Sequence, residues 1–366
     1  MARAVFLHVG APKSGTTFLQ SVLWANKERL KQTGVLLPGE DQFDAFYATM
    51  TVREVRRSKG LPERASDAWA RLVDEVGQWS GTAVISHEFF AAATAEQAER
   101  ARLALAPAEV HVVMTARDYV SQLPALWQES VKVGSQSTFD AFVDELLSGR
   151  RRGPLGWDGM DVVSVLDRWG SGLAASHVHV VTVPPSGSDP EILWTRLCEV
   201  LDIPSEGWTI PQTRRNESLG AVQVELLRRV NPHLKAPLGR AGAPHYRWIR
   251  RFLAEDILVS HRGQRFGLSA SNAQVVRAMS DTAVATIGDR GWHVVGDLAD
   301  LTSQPVDVDR VDPADVSTQE LLDEAVRTIA DLVDRQRRAD RAQQRARARH
   351  ASGSPTPSLR RLLRRR

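Results

Sequence analysis

Short apolar runs separated by helical patterns predict an α/β fold, a three-layer sandwich with a central parallel sheet and helices on both faces. Three observations carry the prediction. Four strand-like runs recur in the first two hundred residues, each is followed by a segment of helical spacing, and the first opens directly into a glycine turn and a helix. Ala4–Gly10 (AVFLHVG) reads as a buried strand, and the helix after it extends to about Lys31. Gly34–Leu37 (GVLL) is a short strand or an extended loop. Thr82–His87 (TAVISH), Glu109–Thr115 (EVHVVMT) and His177–Val183 (HVHVVTV) are the remaining strands.

Past Pro211 the pattern changes to a helical C-terminal elaboration. Residues 217–230, 246–259 and 271–287 read as helices with no strand between them, and Asp297–Pro313, rich in Asp and Pro, reads as a loop. Thr318–Ala348 is a long polar helix whose first turns carry an apolar stripe of Leu321, Leu322, Ala325, Ile329 and Val333. Ser352–Ser358 (SGSPTPS) is a linker, and no internal repeat is present.

Composition narrows the function classes. With 42% hydrophobic and 25% charged residues among 366, the chain has material for a large core and is neither disordered nor membrane-spanning in composition. Apolar runs such as Val110–Thr115 are far shorter than the ~20 residues of a spanning helix. Ala4–Val9 ends in a glycine turn, so no secretory signal is read and a cytoplasmic location is expected. One cysteine, Cys198, excludes internal disulfides and multi-cysteine metal sites, and it reads as core packing. Of 47 Lys and Arg against 44 Asp and Glu, twelve arginines and one acid, Asp340, lie in Arg335–Arg366. That segment therefore carries +11 and the rest −8. The basic pI belongs to the tail, and specific nucleic-acid binding by the body is not expected.

Gly10-Ala-Pro-Lys-Ser-Gly-Thr-Thr17 lies between the first strand and the first helix. Gly10 and Gly15 let backbone wrap an anion, the helix start offers free amides, Thr16 and Thr17 add hydroxyls, and Lys13 adds charge. The spacing approaches the G-x-x-x-x-G-K-[ST] loop of nucleotide hydrolases, but Thr16 stands where the lysine belongs. Thr115, Ala116 and Arg117 also end the third long strand without the magnesium-binding aspartate.

Phe6-Leu-His-Val-Gly-Ala-Pro-Lys-Ser-Gly-Thr-Thr-Phe-Leu-Gln20 resembles the 5′-phosphosulfate loop of sulfotransferases that use 3′-phosphoadenosine 5′-phosphosulfate (PAPS). Thr115-Ala-Arg-Asp-Tyr-Val-Ser121 resembles their second element, an Arg and a Ser that share the 3′-phosphate, here Arg117 and Ser121. The resemblance covers about residues 4–231. It implies a P-loop-like fold, with residues 1–231 as a PAPS-binding sulfotransferase domain and 232–317 as an elaboration of that domain. A polar helix over 318–349 and a basic tail over 350–366 complete the chain. It implies PAPS as co-substrate, and Lys13, Ser14, Gly15, Thr16, Thr17, Arg117, Ser121 and, in a late basic loop, Arg215 as residues that hold it.

The implied reaction is in-line sulfuryl transfer to a hydroxyl or amine of a small-molecule or carbohydrate acceptor. Lys13 would neutralise the leaving phosphate. Ile85-Ser-His-Glu88 places two ionisable groups at the sheet edge where α/β proteins bind ligands. Strand alternation points only one of His87 and Glu88 inward. The family favours Glu88 as the base, with His87 the alternative; without the family, His87 caps the strand and Glu88 starts a helix. His8, inside the first strand, reads as a core histidine.

No carboxylates or histidines stand at metal-ligand spacing, so no metal is expected. Phe43, Phe46, Tyr47, Arg53, Arg56 and Arg57, with Trp127, Trp157 and Trp169, are candidates for acceptor recognition. The arginine tail, ending Leu359-Arg-Arg-Leu-Leu-Arg-Arg-Arg366, reads as a solvated end or a contact with an anionic surface at the membrane periphery. The competing functions are an ATP-dependent kinase or other phosphoryl transferase, and a non-catalytic nucleotide-binding scaffold.

Overall fold

A computed structural model describes residues 1–55, 61–211, 218–239, 243–302 and 310–351, with side chains described as far as 347. Among the described residues six strands form one sheet: β1 (Ala4–Gly10), β2 (Val35–Leu36), β3 (Thr82–Ser86), β4 (Glu109–Ala116), β5 (Val178–Thr182) and β6 (His293–Val295). Their spatial order is β2-β3-β1-β4-β5-β6, and every neighbouring pair is parallel. From β1 the chain runs to the edge strand β2, returns to β3 beside β1, then crosses over β1 to begin β4. This switch opens a crevice beyond the carboxyl ends of β1 and β4, where open α/β sheets take ligands.

Alternation along each strand sends side chains into two apolar layers. On one face Phe6, Val84, Val113, Val181 and Val295 pack against Leu19, Val22 and Leu23 of α1 (Thr16–Ala25) and against Leu193, Trp194 and Leu197 of a later helix, α7 (Glu191–Leu201). On the other, Val5, Leu7, Val9, Ile85, Val112, Met114 and Val180 meet α2 (Gln42–Val52), α3 (Ala68–Gly77), α4 (Ala95–Leu103), α5 (Tyr119–Lys132) and α6 (Val162–Trp169). Leu7 and Leu19 are fully buried, and each such side chain contributes about 1.5–3 kcal/mol. Among the described residues no helix is long and apolar enough to cross a membrane.

The structure resolves GVLL as the two-residue strand β2 and ends β3 at Ser86, one residue before His87. The first helix stops at Ala25, because the Asn26 side chain donates to the carbonyls of Val22 and Thr209 and turns the chain into a separate helix over Lys27–Gln32. β6 follows the three helical segments read past Pro211 and is not among the strands that the sequence predicts. Three residues with one buried position carry too little pattern to register in sequence, and pairing with β5 alone makes them a strand.

The C-terminal half adds α8 (Ala221–Val230), a π-helical run over Tyr246–Ile257, α9 (Ala270–Arg290) and α10 (Thr318–Ala351). Only part of the predicted stripe of α10 docks, with Leu321 buried at its start. Leu322, Ile329 and Val333 are exposed, whereas Leu321, Glu324 and Thr328 are buried. Glu324 and Asp331 clasp the two nitrogens of buried His261 at 2.5 and 3.0 Å, so a polar pairing sets which side docks.

Candidate functional site

The glycine loop leaves β1 at the switch point. The register of β1 against β4 slips between His8 and Gly10, a bulge that re-aims the chain out of the sheet. Gly10 has φ +149°, and a Cβ there would lie 3.2 Å from the Glu88 carbonyl oxygen and 3.1 Å from Ala91 Cβ. Gly15, with φ +83°, caps α1; a Cβ would stand 2.3 Å from Leu193 Cδ2. Gly10 is therefore favoured by conformation and by the Glu88 backbone beside it, and Gly15 by conformation, since the Leu193 terminus can turn away. Lys13 also sits at positive φ, 64°, a conformation that a side chain adopts at a cost of about 1–2 kcal/mol. No side chain caps the start of α1, so its first-turn amides lack a side-chain acceptor and its positive end opens on the loop.

A buried polar row forms the floor beneath the loop. Ser86 Oγ on β3 lies 2.8 Å from His8 Nδ1, and His8 Nε2 lies 3.3 Å from Thr115 Oγ1 on β4. Thr115 donates to the Gly10 carbonyl at 2.9 Å, and Ser14 Oγ lies 2.5 Å from both Thr115 Oγ1 and the Ala11 carbonyl. Burial pushes His8 down to about 4, leaving it neutral, as a core histidine should be. The Ser14 hydroxyl and its amide, which donates to Ala11 at 3.3 Å, both serve the loop itself. Ser14 thus shapes the cradle from below. Thr16 is buried and Thr17 exposed at the start of α1.

Arg117 follows β4 directly and donates to the Lys13 carbonyl at 3.1 Å, joining the two predicted elements. Asp118 caps α5 by accepting from the amides of Val120 and Ser121, which seats Ser121 in the first turn beyond Arg117. Burial holds the Arg117 guanidinium below its ordinary value, and Arg310 nearby adds to that repulsion. The Nε of Arg310 is buried, with no hydrogen-bond partner among the described residues.

Lys13 Nζ lies 3.6 Å from Glu129 of α5, a carboxylate that also pairs with Arg250. Burial would raise the Glu129 carboxyl, but Lys13, Arg250 and Lys132 outweigh it and hold it low. Lys132, itself buried, is shifted down by that burial. One carboxylate thus faces three cations beside the loop.

The base candidates do not follow strand alternation. His87 is extended backbone just past β3, and its Nδ1 accepts from the Phe89 amide to cap the short 3-10 helix Glu88–Ala92. Both side chains consequently lie together, with His87 Nδ1 3.8 Å from Glu88 Oε2. Glu88 accepts from Gln20 of α1 at 3.0 Å. Burial opposes its charge, yet His87, a backbone amide and Gln20 hold the carboxyl below its ordinary value; burial likewise lowers His87. Phe46 of α2 packs on the His87 ring with centroids 5.5 Å apart, and Arg53 repels a charge on it.

Two expected acceptor contacts are corrected. Trp127 and Trp169 are fully buried, their indoles donating to the carbonyls of Ser137 and Phe90, so they belong to the core. Trp157, half-buried, meets Tyr119 edge-on. Cys198 is core as read, its thiol pushed up to about 12 by burial. Arg56, Arg57, Arg215 and the tail from 352 onward lie outside the described residues. Sequence reading missed Gln20, Glu129, Lys132, Arg250 and Arg310. Gln20 stands one helical turn beyond Thr16, and Glu129 two turns beyond Ser121, so helical spacing carried a signal for both. Arg250 and Arg310 have none, because only the fold brings them to the loop.

The sequence matches no family model and no curated protein. Among solved structures, a sulfotransferase from Alicyclobacillus acidocaldarius aligns with 68% of this chain and all of its own at 16% identity and a TM-score of 0.39. Overlap of that extent carries no argument about function.

Proposed function

We propose that the chain is a PAPS-dependent sulfotransferase. The observation that supports it best is the junction of the two anion-binding elements, where half-buried Arg117 donates to the carbonyl of Lys13 at the uncapped start of α1. A loop alone would suit any phosphate. A loop tied to a half-buried guanidinium suits a nucleotide with phosphates at both ends of its ribose.

In this reading the amides of Gly15, Thr16 and Thr17 and the threonine hydroxyls hold the 5′-phosphate, while Arg117 and Ser121 hold the 3′-phosphate. Glu88, kept as a carboxylate, takes the proton from the acceptor hydroxyl or amine as that atom bonds to sulfur. The bond from sulfur to the 5′-phosphate oxygen breaks, its electron pair stays on that oxygen, and 3′,5′-ADP leaves. Lys13 exchanges Glu129 for the growing charge on the bridging oxygen. Arg250 and Lys132 remain to neutralise Glu129 when it does so.

Calorimetric titration with 3′,5′-ADP and, separately, with Mg-ATP tests the reading. Metal-independent binding of 3′,5′-ADP, weakened about 10- to 100-fold in Arg117→Ala, is expected. Preference for Mg-ATP with hydrolysis would replace it with the phosphoryl-transfer alternative. Binding of 3′,5′-ADP without turnover of any PAPS and acceptor pair would favour the scaffold.

A further inference from the structure

The opposite end of β4 carries a second cluster of ionisable groups. Glu109 opens the strand, His111 follows two residues on, and His177 closes the 3-10 turn Ala175–His177 that leads into β5. Side chains two apart share a face, and the register sets His179 of β5 beside Val113 of β4 and beside His293 of β6. The histidines therefore line up across three strands, with Phe6 of β1 stacked on His111 at 4.5 Å. Glu109 Oε1 lies 2.9 Å from His177 Nε2 and 3.2 Å from His111 Nε2. Behind them, His111 Nδ1 lies 2.9 Å from His179 Nε2, and His179 Nδ1 lies 2.9 Å from His293 Nδ1.

We propose that Glu109 Oε1, His111 Nε2 and His177 Nε2 bind a divalent transition-metal ion of the zinc class, stapling β4 to the start of β5. Two imidazoles and a carboxylate suit zinc and its neighbours, whereas magnesium and calcium take oxygen ligands. Tetrahedral bonds of about 2.0–2.1 Å set ligand atoms roughly 3.3 Å apart. The carboxylate oxygen already stands within a few tenths of an ångström of that separation from both nitrogens. Three protein ligands leave a fourth position for water, and the 52% exposure of Glu109 and 28% of His177 leave the ion a path from solvent.

The histidines behind the ligands fit a supporting role. With protons on Nδ1 of His111 and His179, the row donates outward from His111 to His179 to His293 and frees His111 Nε2 as a ligand. Without an ion the same bonds reverse, and His111 and His177 donate to Glu109. The row is hydrogen-bonded in both states. This corrects the expectation from sequence that no metal-ligating cluster exists. Glu109 and His111 adjoin on one strand, but only the pairing of β4 with β5 brings His177 to them.

Untagged full-length protein, stripped with a chelator, is titrated with Zn²⁺ by calorimetry and with Co²⁺ by visible absorption. One ion per chain and the absorption of tetrahedral cobalt are expected. Glu109→Ala, at an exposed ligand, and His177→Ala, at a half-buried one, should each weaken binding at least ten-fold, and His179→Phe about 10- to 100-fold. His261→Ala should leave the affinity unchanged, and circular dichroism checks that each variant is folded. Failure of the folded wild-type chain to bind Zn²⁺, or binding indifferent to both His177→Ala and Glu109→Ala, overturns the proposal.

Discussion

The two ends of β4 are built from similar resources to opposite effect. At its carboxyl end, Thr115 and Arg117 meet a glycine loop and an uncapped helix start, and cations collect around Lys13, Lys132, Arg117, Arg250 and Arg310. At its amino end, Glu109 and His111 meet three more histidines and form a donor set for a cation. A parallel sheet makes such a division natural. Loops and helix N-termini follow the carboxyl ends of its strands, so anions gather there, and the amino edge is left to side chains alone. The eight residues of β4, at about 3.3 Å each, hold the two ends roughly 20 Å apart or more, so each should respond to its own ligand.

The sharpest way to break this division is Lys13→Ala. Loss of the charge that meets the leaving oxygen should lower sulfuryl transfer by about 10²–10³-fold, while Zn²⁺ affinity stays unchanged. Transfer at the wild-type rate would remove Lys13 from the mechanism, and a change in zinc affinity would show that the two ends are coupled.

A stability measurement sharpens the comparison from between the two ends. His8 titrates near 4 when folded and near 6.5 when unfolded. Its contribution is complete above about pH 6.5 and is lost as pH falls towards 4, because the unfolded chain takes up the proton first. About 2 kcal/mol should disappear between pH 7 and 5, to which half-buried His87 adds with the same sign. His8→Gln, which keeps a donor and an acceptor, should flatten the pH dependence of the urea midpoint; an unaltered slope would count against a neutral His8.

Gly15→Ala is expected to have the smallest thermodynamic effect. The positive φ should destabilise the fold by about 1–2 kcal/mol, with the Leu193 terminus able to turn from the methyl group, and should weaken 3′,5′-ADP binding. Zinc affinity at the amino edge should not change. An undiminished Tm would mean that the loop relaxes around the methyl group.

Local pattern made the carboxyl edge legible. Ala4–Gly10, the glycines at 10 and 15, Lys13 and the Thr115–Ser121 segment are contiguous in sequence, so their chemistry follows from neighbours a few residues away. The amino edge was not legible, because Glu109 and His111 look like ordinary strand residues until β5 is laid beside β4. His87 and Glu88 fall between these cases. Their place at the sheet edge was readable, but the end of β3 at Ser86 cancelled the alternation expected to separate them. On α10 only part of the apolar stripe docks, and the His261 clasp to Glu324 and Asp331 sets which side is buried.

By itself the sequence determined the α/β class, the glycine loop between β1 and α1 and its order before the Thr115–Ser121 segment, because hydrophobic period and glycine placement act over short stretches of chain. Tertiary structure alone decided that β6 completes the sheet, that Glu129, Arg250 and Arg310 surround the cradle, and that Glu109, His111 and His177 converge. Those outcomes depend on strand register and helix docking, which fix distances between residues dozens of positions apart and leave no periodic trace in the sequence.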